Sequence, residues 1–366
     1  MNILIFVIIL LVLVLVHEAG HFFTAKKFGI RVDEFGFGFP PKLFGIKKGE
    51  TEYTVNAIPF GGFVKIFGEN PDEESTNGPD AKRSFINKPR WQQAIVLFAG
   101  VFANFLLAWI LLSFGFMSGL PTSVGSEPKG YKLEDIRLVV VSVSEKSPAE
   151  IAGLKSGDKI VSITSGKDFV SDINPDSLKS FVLSHPDKEI EIGYTRGKDQ
   201  NVNLVKLTPR KDNSEGKPMI GVAMDQIGTA RLPIHQAFWE GLKLDWYVTK
   251  STAVGLYTLV AESLKGKGSM ASVTGPVGMV KIVGDAYEFG LTYLLSFAAL
   301  ISVNLAIINL LPFPALDGGR LFFLLIEKIK GSRLNPKFAN MANMIGFAIL
   351  IILMLFVTYH DVVKLF

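Results

Sequence analysis

The sequence contains no cysteine among its 366 residues. This absence excludes disulfides, thiolate metal sites and cysteine nucleophiles, although it does not fix the cellular compartment. Histidine is scarce, with five residues, and three of these stand alone and are expected at surfaces or interfaces: His185, His235 and His360. The formal net charge is only +4, which gives no basic footprint for nucleic acid, so we expect no nucleic-acid partner.

Hydrophobic residues make up 48% of the chain and are concentrated in a few long segments. A segment of about 20 apolar residues is long enough to cross a bilayer as a helix. We expect four such helices, at about residues 3–27, 91–117, 291–311 and 338–357. The first segment lacks a basic n-region and a small-residue cleavage site, which favours a retained helix over a signal peptide.

The first apolar segment ends in a His-Glu-x-x-His pattern that runs from His17 to His21. Positions i and i+4 share one helix face, so both imidazoles can reach one metal ion, and zinc accepts such ligands with an open fourth position. Glu18 lies one step round the helix and can reach a water molecule on that metal. Because ionisable groups inside a membrane helix are costly, the pattern indicates a functional site rather than a chance pattern in a soluble helix.

The third apolar segment ends in a stretch with two prolines, Pro312 and Pro314, that cannot continue a regular helix. Asp317 follows in this break. It could cap the next helix, expected at about residues 320–328, or supply a third ligand to a metal held by the two histidines. The need of the two histidines for a third ligand favours the metal role.

The remaining segments predict strands, a soluble domain and an interfacial helix. Alternating residues at 51–58 and 61–67 predict a small antiparallel sheet that dips into the membrane surface and could hold an extended peptide beside the metal. Ordinary loop strands are the alternative. Short strands and helices at about 121–227 predict one small soluble domain, and 231–264 predicts a helix at the membrane interface. A chain break is expected at 274–278.

The basic residues predict the orientation of the chain in the membrane. Lys and Arg are frequent at 26–48, 82–90 and 320–337, which fall on one face if four helices alternate, and the positive-inside tendency makes that face cytoplasmic. Both termini and the soluble domain then lie outside, and the metal site lies toward the cytoplasmic side. The expected fold is a polytopic α-helical membrane protein with four transmembrane helices, a membrane-associated β-hairpin or sheet and one extracytoplasmic α+β domain.

These motifs resemble the site-2 protease family of intramembrane zinc metalloproteases, in its bacterial RseP-like branch. The first family motif is similar to His17-Glu18-x-x-His21, and the second to Asn309-x-x-Pro312-x-Pro314-x-x-Asp317-Gly318. The resemblance extends to Gly100-x-x-x-Asn104, to a re-entrant hairpin at 59–65, and to a PDZ domain at 136–225 with Ile220-Gly221-Val222 as its peptide-carboxylate loop. Well-known members of this branch carry two PDZ domains, whereas this chain has room for one.

The resemblance implies an endoprotease of the bacterial inner membrane that uses zinc (Zn2+). It implies that His17, His21 and Asp317 hold the metal and that Glu18 is the catalytic base. The residues implied to hold the substrate backbone are Asn304, Asn309, Gly61, Gly62 and Phe63. Substrates would be single-span membrane proteins already trimmed outside, such as an anti-sigma factor or a leftover signal peptide. The bilayer and peptide tails at the PDZ domain are further expected partners.

The sequence divides into four expected parts. Residues 1–119 hold the first two helices and the hairpin, 120–228 the PDZ-like domain, 229–290 the interfacial helix and a linker, and 291–366 the last two helices.

The main alternative to a protease is a non-enzymatic membrane receptor with a peptide-binding PDZ domain and a structural metal. A structural zinc ion normally has all four coordination positions filled by protein ligands. The sequence offers only three such ligands, which favours a catalytic zinc site and therefore an enzyme. A zinc or proton transporter would need several polar helices and is less favoured.

Overall fold

The structure is a computed structural model that describes residues 1–70, 72–197, 201–211, 216–266 and 274–363. The helices are α1 (Asn2–Lys27), α2 (Glu73–Asn77), α3 (Arg90–Ser118), α4 (Pro148–Ile151), α5 (Pro175–Ser184), α6 (Ile234–Leu264), α7 (Pro276–Phe289), α8 (Leu291–Leu310), α9 (Asp317–Lys330) and α10 (Pro336–Val363). The strands are β1 (Val32–Lys48), β2 (Thr51–Ile66), β3 (Leu120–Ser123), β4 (Glu134–Val143), β5 (Lys159–Ser165), β6 (Asp168–Phe169), β7 (Ile190–Thr195), β8 (Asn203–Leu207) and β9 (Val222–Ala230).

The chain packs as two compact units. The first unit comprises 1–112, 241–284 and 297–366, and the second comprises 113–240 and 285–296.

Four helices in the described part of the chain, α1, α3, α8 and α10, are long and apolar enough to cross a membrane. They match the four predicted spans. Large apolar side chains are exposed along them, including Ile3 and Ile8 on α1 and Phe347 and Ile352 on α10. Soluble proteins rarely expose contiguous apolar surface of this extent, whereas a bilayer covers it. The chain is therefore a polytopic membrane protein.

Strands β1 and β2 form an antiparallel sheet directly after α1, in agreement with the predicted hairpin. Phe35 of β1 pairs with Tyr53 on one side and with Val64 on the other, so β2 returns along the opposite flank of β1. The return includes Gly61, whose φ of +100° would strain a residue with a Cβ atom. Residues 62–66 form the outer segment of this sheet, and no strand among the described residues pairs with its far edge.

An apolar cluster fixes this sheet against α1 and α3. Its buried members come from the end of α1 and the residue before β1, from the paired start of β1 and end of β2, from the connecting segment and from the first half of α3: Phe22, Ala25, Ile30, Val32, Ile66, Phe85, Val96 and Leu97. Full burial of one large apolar side chain contributes about 1.5–3 kcal/mol. The cluster therefore holds the outer segment in one position relative to the end of α1.

The second unit is built on one antiparallel sheet with the order β3-β9-β4-β5-β7-β8, and β6 pairs with β5. The core of this unit is formed by apolar side chains from the sheet and α5, including Val140, Ile163, Leu178, Ile190 and Ile192. The sequence predicts one small domain of short strands here, and the observed sheet matches that expectation. The surface position predicted for His185 is wrong, because the ring is buried and stacks on Phe181 at a centroid distance of 4.2 Å.

Helix α6 has 31 residues but is not one of the candidate spans. Four aromatic side chains are exposed along it: Trp239, Trp246, Tyr247 and Tyr257. Such a helix suits the predicted interfacial position. The expected linker that follows contains the additional helix α7. Asp361 of α10 holds its start, because the carboxylate accepts hydrogen bonds from the backbone N–H groups of Gly275, at 3.1 Å, and Gly278, at 2.8 Å.

Asp245 on α6 is fully buried, and its carboxylate oxygens have no hydrogen-bond partner among the described residues. The adjacent side chains Leu244 and Val248 pack against an apolar cluster of α3 and α8 that includes Ala108 and Val303. Burial raises the pKa of Asp245 to about 7 because a charged carboxylate loses its hydration there. The neutral acid is therefore the form that suits this position.

We expect the protein to become less stable as the pH rises from about 4 to about 8 through Asp245. The folded-state pKa lies above that of an unfolded aspartate, so the folded protein keeps a proton that the unfolded chain releases. The substitution Asp245→Asn should remove this part of the pH dependence. Thermal unfolding of the purified protein in detergent at about pH 5 and about pH 8 measures the effect.

The control for this experiment is Glu262→Gln, because Glu262 is exposed on the same helix. Its unfolding temperatures should follow those of the wild type at both pH values. The assignment is contradicted if Asp245→Asn and the wild type lose the same number of degrees between the two pH values.

Candidate active site

Helix α1 places His17 and His21 on one face, and both imidazoles are buried. Their Nε2 atoms lie 3.2 Å apart. Asp317 Oδ2 lies 3.0 Å from His17 Nε2 and 3.2 Å from His21 Nε2. Side chains that are 300 positions apart in sequence therefore meet at one point, and they form a group that could hold a metal ion.

Asp317 reaches this point because the chain breaks between α8 and α9. Helix α8 ends at Leu310, and the break contains Ala315 in the left-handed region with a φ of +79°. This conformation is unfavourable for a residue with a Cβ atom, and it is held in part by Asn343, whose Oδ1 accepts a hydrogen bond from the Ala315 N–H at 3.2 Å. The N-cap of α9 is Leu316, so Asp317 is the first helical residue and does not cap the helix.

The far nitrogens of both imidazoles are held by α3. His21 Nδ1 donates to the carbonyl oxygen of Val96 at 2.8 Å, which leaves Nε2 with its lone pair. His17 Nδ1 lies 3.2 Å from Asn104 Nδ2, and Asn104 Oδ1 is buried without a partner among the described residues. A half-turn of this amide lets Oδ1 accept from the His17 Nδ1–H and leaves the Nε2 lone pair available to a metal ion. The donor set, two imidazoles and one carboxylate, fits zinc with an open position.

Gly100 of α3 makes this contact between helices possible. A Cβ atom at this position would lie 2.3 Å from His21 Nε2 and 2.9 Å from His17 Cε1, which is closer than real side chains approach. The sequence marks Gly100 and Asn104 only through the resemblance to the family motif and assigns them no role. In the structure they lie four residues apart on one face of α3, where Gly100 leaves room for the imidazoles and Asn104 contacts His17.

The three candidate metal ligands, His17, His21 and Asp317, line a cavity of about 710 Å³. Among the residues expected to hold substrate, Phe63 and Asn309 line it. Gly61 and Gly62 lie in the adjoining strand β2, while Asn304 is half-buried on α8 and lies outside the lining. The cavity is therefore bordered on one side by the outer segment of the sheet.

Glu18 lines the same cavity. Val64 of the outer segment, His17, His21 and Asp317 line it as well, so the Glu18 carboxylate shares one cavity with the candidate metal ligands and with the sheet edge. A carboxylate placed there could transfer a proton to or from a peptide bound along that edge.

Two charged residues of the cavity wall are not singled out by the sequence, apart from the basic character of the segment that contains Arg320. Arg320 of α9 forms an ion pair with Glu69, which follows β2, and both line the cavity. The charge of Glu18 also acts on Arg320. Their pairing joins segments about 250 residues apart, and sequence spacing gives no means of finding such a pair.

A second cavity of about 510 Å³ lies in the second unit, between α5 and the first residues of β9. The expected carboxylate loop lines it: Ile220, Gly221 and Val222. Strand β9 pairs with β4 along most of its length but with β3 only from Ile227 to Ala230. Within the described residues, the first part of β9 therefore keeps one unpaired edge beside α5.

We expect Gly100→Ala to remove most of the bound metal, because the new methyl group must displace the imidazoles from Asp317. Zinc per protein, measured by elemental analysis of the purified protein, should fall well below the wild-type value. The matched control is Gly255→Ala on α6, where a Cβ atom would meet no neighbouring atom within 4 Å. A zinc content equal to the wild type in Gly100→Ala would show that the contact is not needed for metal binding.

Comparison with known proteins gives matches over almost the whole chain. A protein of Clostridium perfringens, named as an inferred zinc metalloprotease, is 35% identical over 353 residues, which cover 96% of this chain and 95% of that protein. The zinc metalloprotease RasP of Geobacillus kaustophilus is 29% identical and covers 100% of this chain and 98% of its own. The regulator of sigma-W protease RasP of Bacillus subtilis is 30% identical, with coverage of 99% and 98%.

Among solved structures, the solution structure of the second domain of a Listeria protein covers 26% of this chain at 23% identity and a TM-score of 0.21, a value too low to establish a shared fold. The family described as Peptidase family M50 matches residues 5–353. The full-length relatives and this family match, together with the four membrane-spanning helices, show that the chain belongs to peptidase family M50, the site-2 intramembrane zinc proteases.

Proposed function

We propose that this zinc metalloprotease cleaves single-span membrane proteins within or beside their spanning segment. The observation that supports this best is the cavity of about 710 Å³ that contains Glu18, both imidazoles and Asp317. All of these groups lie on or against α1, at the end of an apolar run that crosses the membrane. A substrate segment in the bilayer can therefore reach them without leaving the membrane.

We assign His17, His21 and Asp317 as the zinc ligands and Glu18 as the base. When bound, the ion polarises the substrate carbonyl and lowers the pKa of a water molecule. Glu18 takes a proton from the attacking water and then returns it to the leaving amine nitrogen. The two imidazoles are fixed by hydrogen bonds at Nδ1, which leaves the proton transfer to the carboxylate.

The substrate must be extended at the bond that is cut, because a helix engages its own carbonyl groups in hydrogen bonds. The unpaired edge of the outer segment, residues 62–66, offers an extended peptide a strand to pair with. A peptide on this edge passes Glu18, since Val64 of the segment and Glu18 line the same cavity. We assign Gly61, Gly62 and Phe63 to this pairing strand, and the amide groups of Asn304 and Asn309 to holding the substrate backbone.

We infer a location in the bacterial cytoplasmic (inner) membrane from the resemblance to the RseP-like branch, and the charge pattern favours an active site toward the cytoplasm. Both termini and the domain at 120–228 then lie outside. The Bacillus subtilis relative is named a regulator of sigma-W protease. By analogy, an anti-sigma factor already trimmed outside is a suitable substrate, and a leftover signal peptide has the same single-span form.

We further propose that the domain at 120–228 binds peptide tails as a PDZ domain does. A peptide can add as a strand to the open edge of β9 and bury apolar side chains against Leu178 and Val182 of α5. The turn at Gly221 and the exposed Lys179 lie at the same cavity, where a terminal carboxylate would be favoured.

We expect Glu18→Gln to abolish cleavage of a single-span reporter while zinc remains bound, because the amide keeps the shape of the side chain but cannot accept the proton. Purified protein in detergent, with and without a zinc chelator, gives the measurement by product gel and elemental analysis. Glu73→Gln, at an exposed position on α2, is the control and should cleave at the wild-type rate.

Residual turnover by Glu18→Gln would contradict the role of Glu18 as the base. Absence of cleavage by the wild type, with zinc bound and several helix-destabilised reporters tried, would instead favour a receptor that uses the metal for structure.

We expect a short peptide that ends in valine with a free carboxylate to bind the full-length protein about tenfold more tightly than the same peptide with an amidated end, a difference of about 1.4 kcal/mol. The reason is the loss of the carboxylate contact at the turn of Ile220, Gly221 and Val222. Fluorescence anisotropy with labelled peptides gives both dissociation constants. Equal constants would show that this loop does not recognise a terminal carboxylate.

A further inference from the structure

The ion pair between Arg320 and Glu69 joins the two parts of the cavity that must be aligned for cleavage. Arg320 lies three residues after Asp317 on α9, so both side chains project from the same face of that helix toward the cavity. Glu69 lies three residues after Ile66, the last residue of β2. One charge is therefore attached to the segment of a metal ligand, and the other to the pairing strand.

Both side chains are largely removed from solvent, with 26% of Arg320 and 20% of Glu69 exposed. A charge in such a place is costly unless an opposite charge and hydrogen bonds compensate it. The Arg320 Nη1 group donates to Glu69 Oε1, and Glu18 is the other carboxylate that acts on the guanidinium. Loss of either partner would leave the other charged side chain unpaired at the cavity wall. That side chain would then move toward solvent or toward another charge.

The connection between Glu69 and the pairing strand is stiff. The Glu69 N–H donates to the carbonyl oxygen of Ile66 at 3.2 Å, which closes a turn at the end of β2. Within this turn the Phe67 N–H donates to the carbonyl oxygen of Arg31 at 2.9 Å, and the Arg31 guanidinium lies 3.5 Å from the centre of the Phe67 ring. A displacement of Glu69 is therefore passed to the strand instead of being absorbed by a loose loop.

We propose that Arg320 is a positioning residue that sets the register of the substrate strand against the metal ligands through Glu69. The inference rests on the proposed function, in which the substrate pairs with the edge at residues 62–66. Pairing along a strand repeats every two residues, so a shifted strand presents a different peptide bond to Glu18. The ion pair thus decides which bond is cut, in addition to how fast it is cut.

The test compares cleavage of one single-span reporter by the wild type and by Glu69→Gln, Arg320→Gln and the double variant. Mass spectrometry of the products gives the bond that is cut, and initial rates give kcat/KM. We expect each single variant to lose about 10- to 100-fold in kcat/KM, in line with the effect of a misplacement of about 1 Å, and to produce additional products cut at neighbouring bonds. Zinc content should stay at the wild-type level.

The double variant and two further single variants test whether the effect belongs to the pair of Arg320 and Glu69. Because the two residues act as one pair, the double variant should lose no more than either single variant. Arg320→Lys keeps the charge and should restore much of the wild-type cleavage site. Lys42→Gln removes an exposed ion pair with Glu52 elsewhere in the same sheet, and it should cut the wild-type bond at the wild-type rate.

Wild-type cleavage at one bond, together with mixed products from both single variants at full zinc content, supports the proposal. Cleavage of the same single bond by Arg320→Gln, at any rate, overturns it and leaves the protease function intact. A reporter that the wild type does not cut in a Glu18-dependent manner overturns the protease function itself, and the register proposal with it.

Discussion

The candidate active site depends on one convergence, in which Asp317 Oδ2 lies 3.0 Å from His17 Nε2 and 3.2 Å from His21 Nε2. No single helix can produce it. The helical spacing of α1 aligns the two imidazoles, α3 fixes their far nitrogens, and the break after α8 directs Asp317 toward them. Because these groups are buried, each hydrogen bond that orients them counts for more than it would in water. The site is thus a property of how three helices and one break fit together.

The sheet beside this site meets a second requirement, which is to hold an extended peptide next to Glu18. An unpaired strand edge is a liability in most proteins, because it can pair with any other chain. Here the far edge of residues 62–66 borders the cavity that contains Glu18, and the apolar cluster below it fixes the sheet to α1 and α3. A pairing edge in such a place suits a protease that must keep an unwound peptide in one position. The pair of Arg320 and Glu69 adds a direct link from this sheet to α9.

The elements that the sequence predicts well are those with a local cause. Runs of about 20 apolar residues predict the four spans, and the spacing of His17 and His21 predicts a shared helix face. Features whose cause is not local escape such patterns. Helix α7 lies within the expected linker, and its start is held by Asp361, 83 residues further along the chain. His185 is buried because Phe181 and the core of its domain cover it.

The sequence by itself determined the membrane class, the two histidines with their neighbouring glutamate, and the break that precedes Asp317, because composition and periodicity act within one segment. It left the role of Asp317 open, since a helix cap and a metal ligand use the same side chain at the same position. Only the tertiary structure decided that Asp317 does not cap α9, that Gly100 and Asn104 face the imidazoles, and that Arg320 pairs with Glu69. These are contacts between distant segments, and they depend on packing geometry that no local pattern encodes.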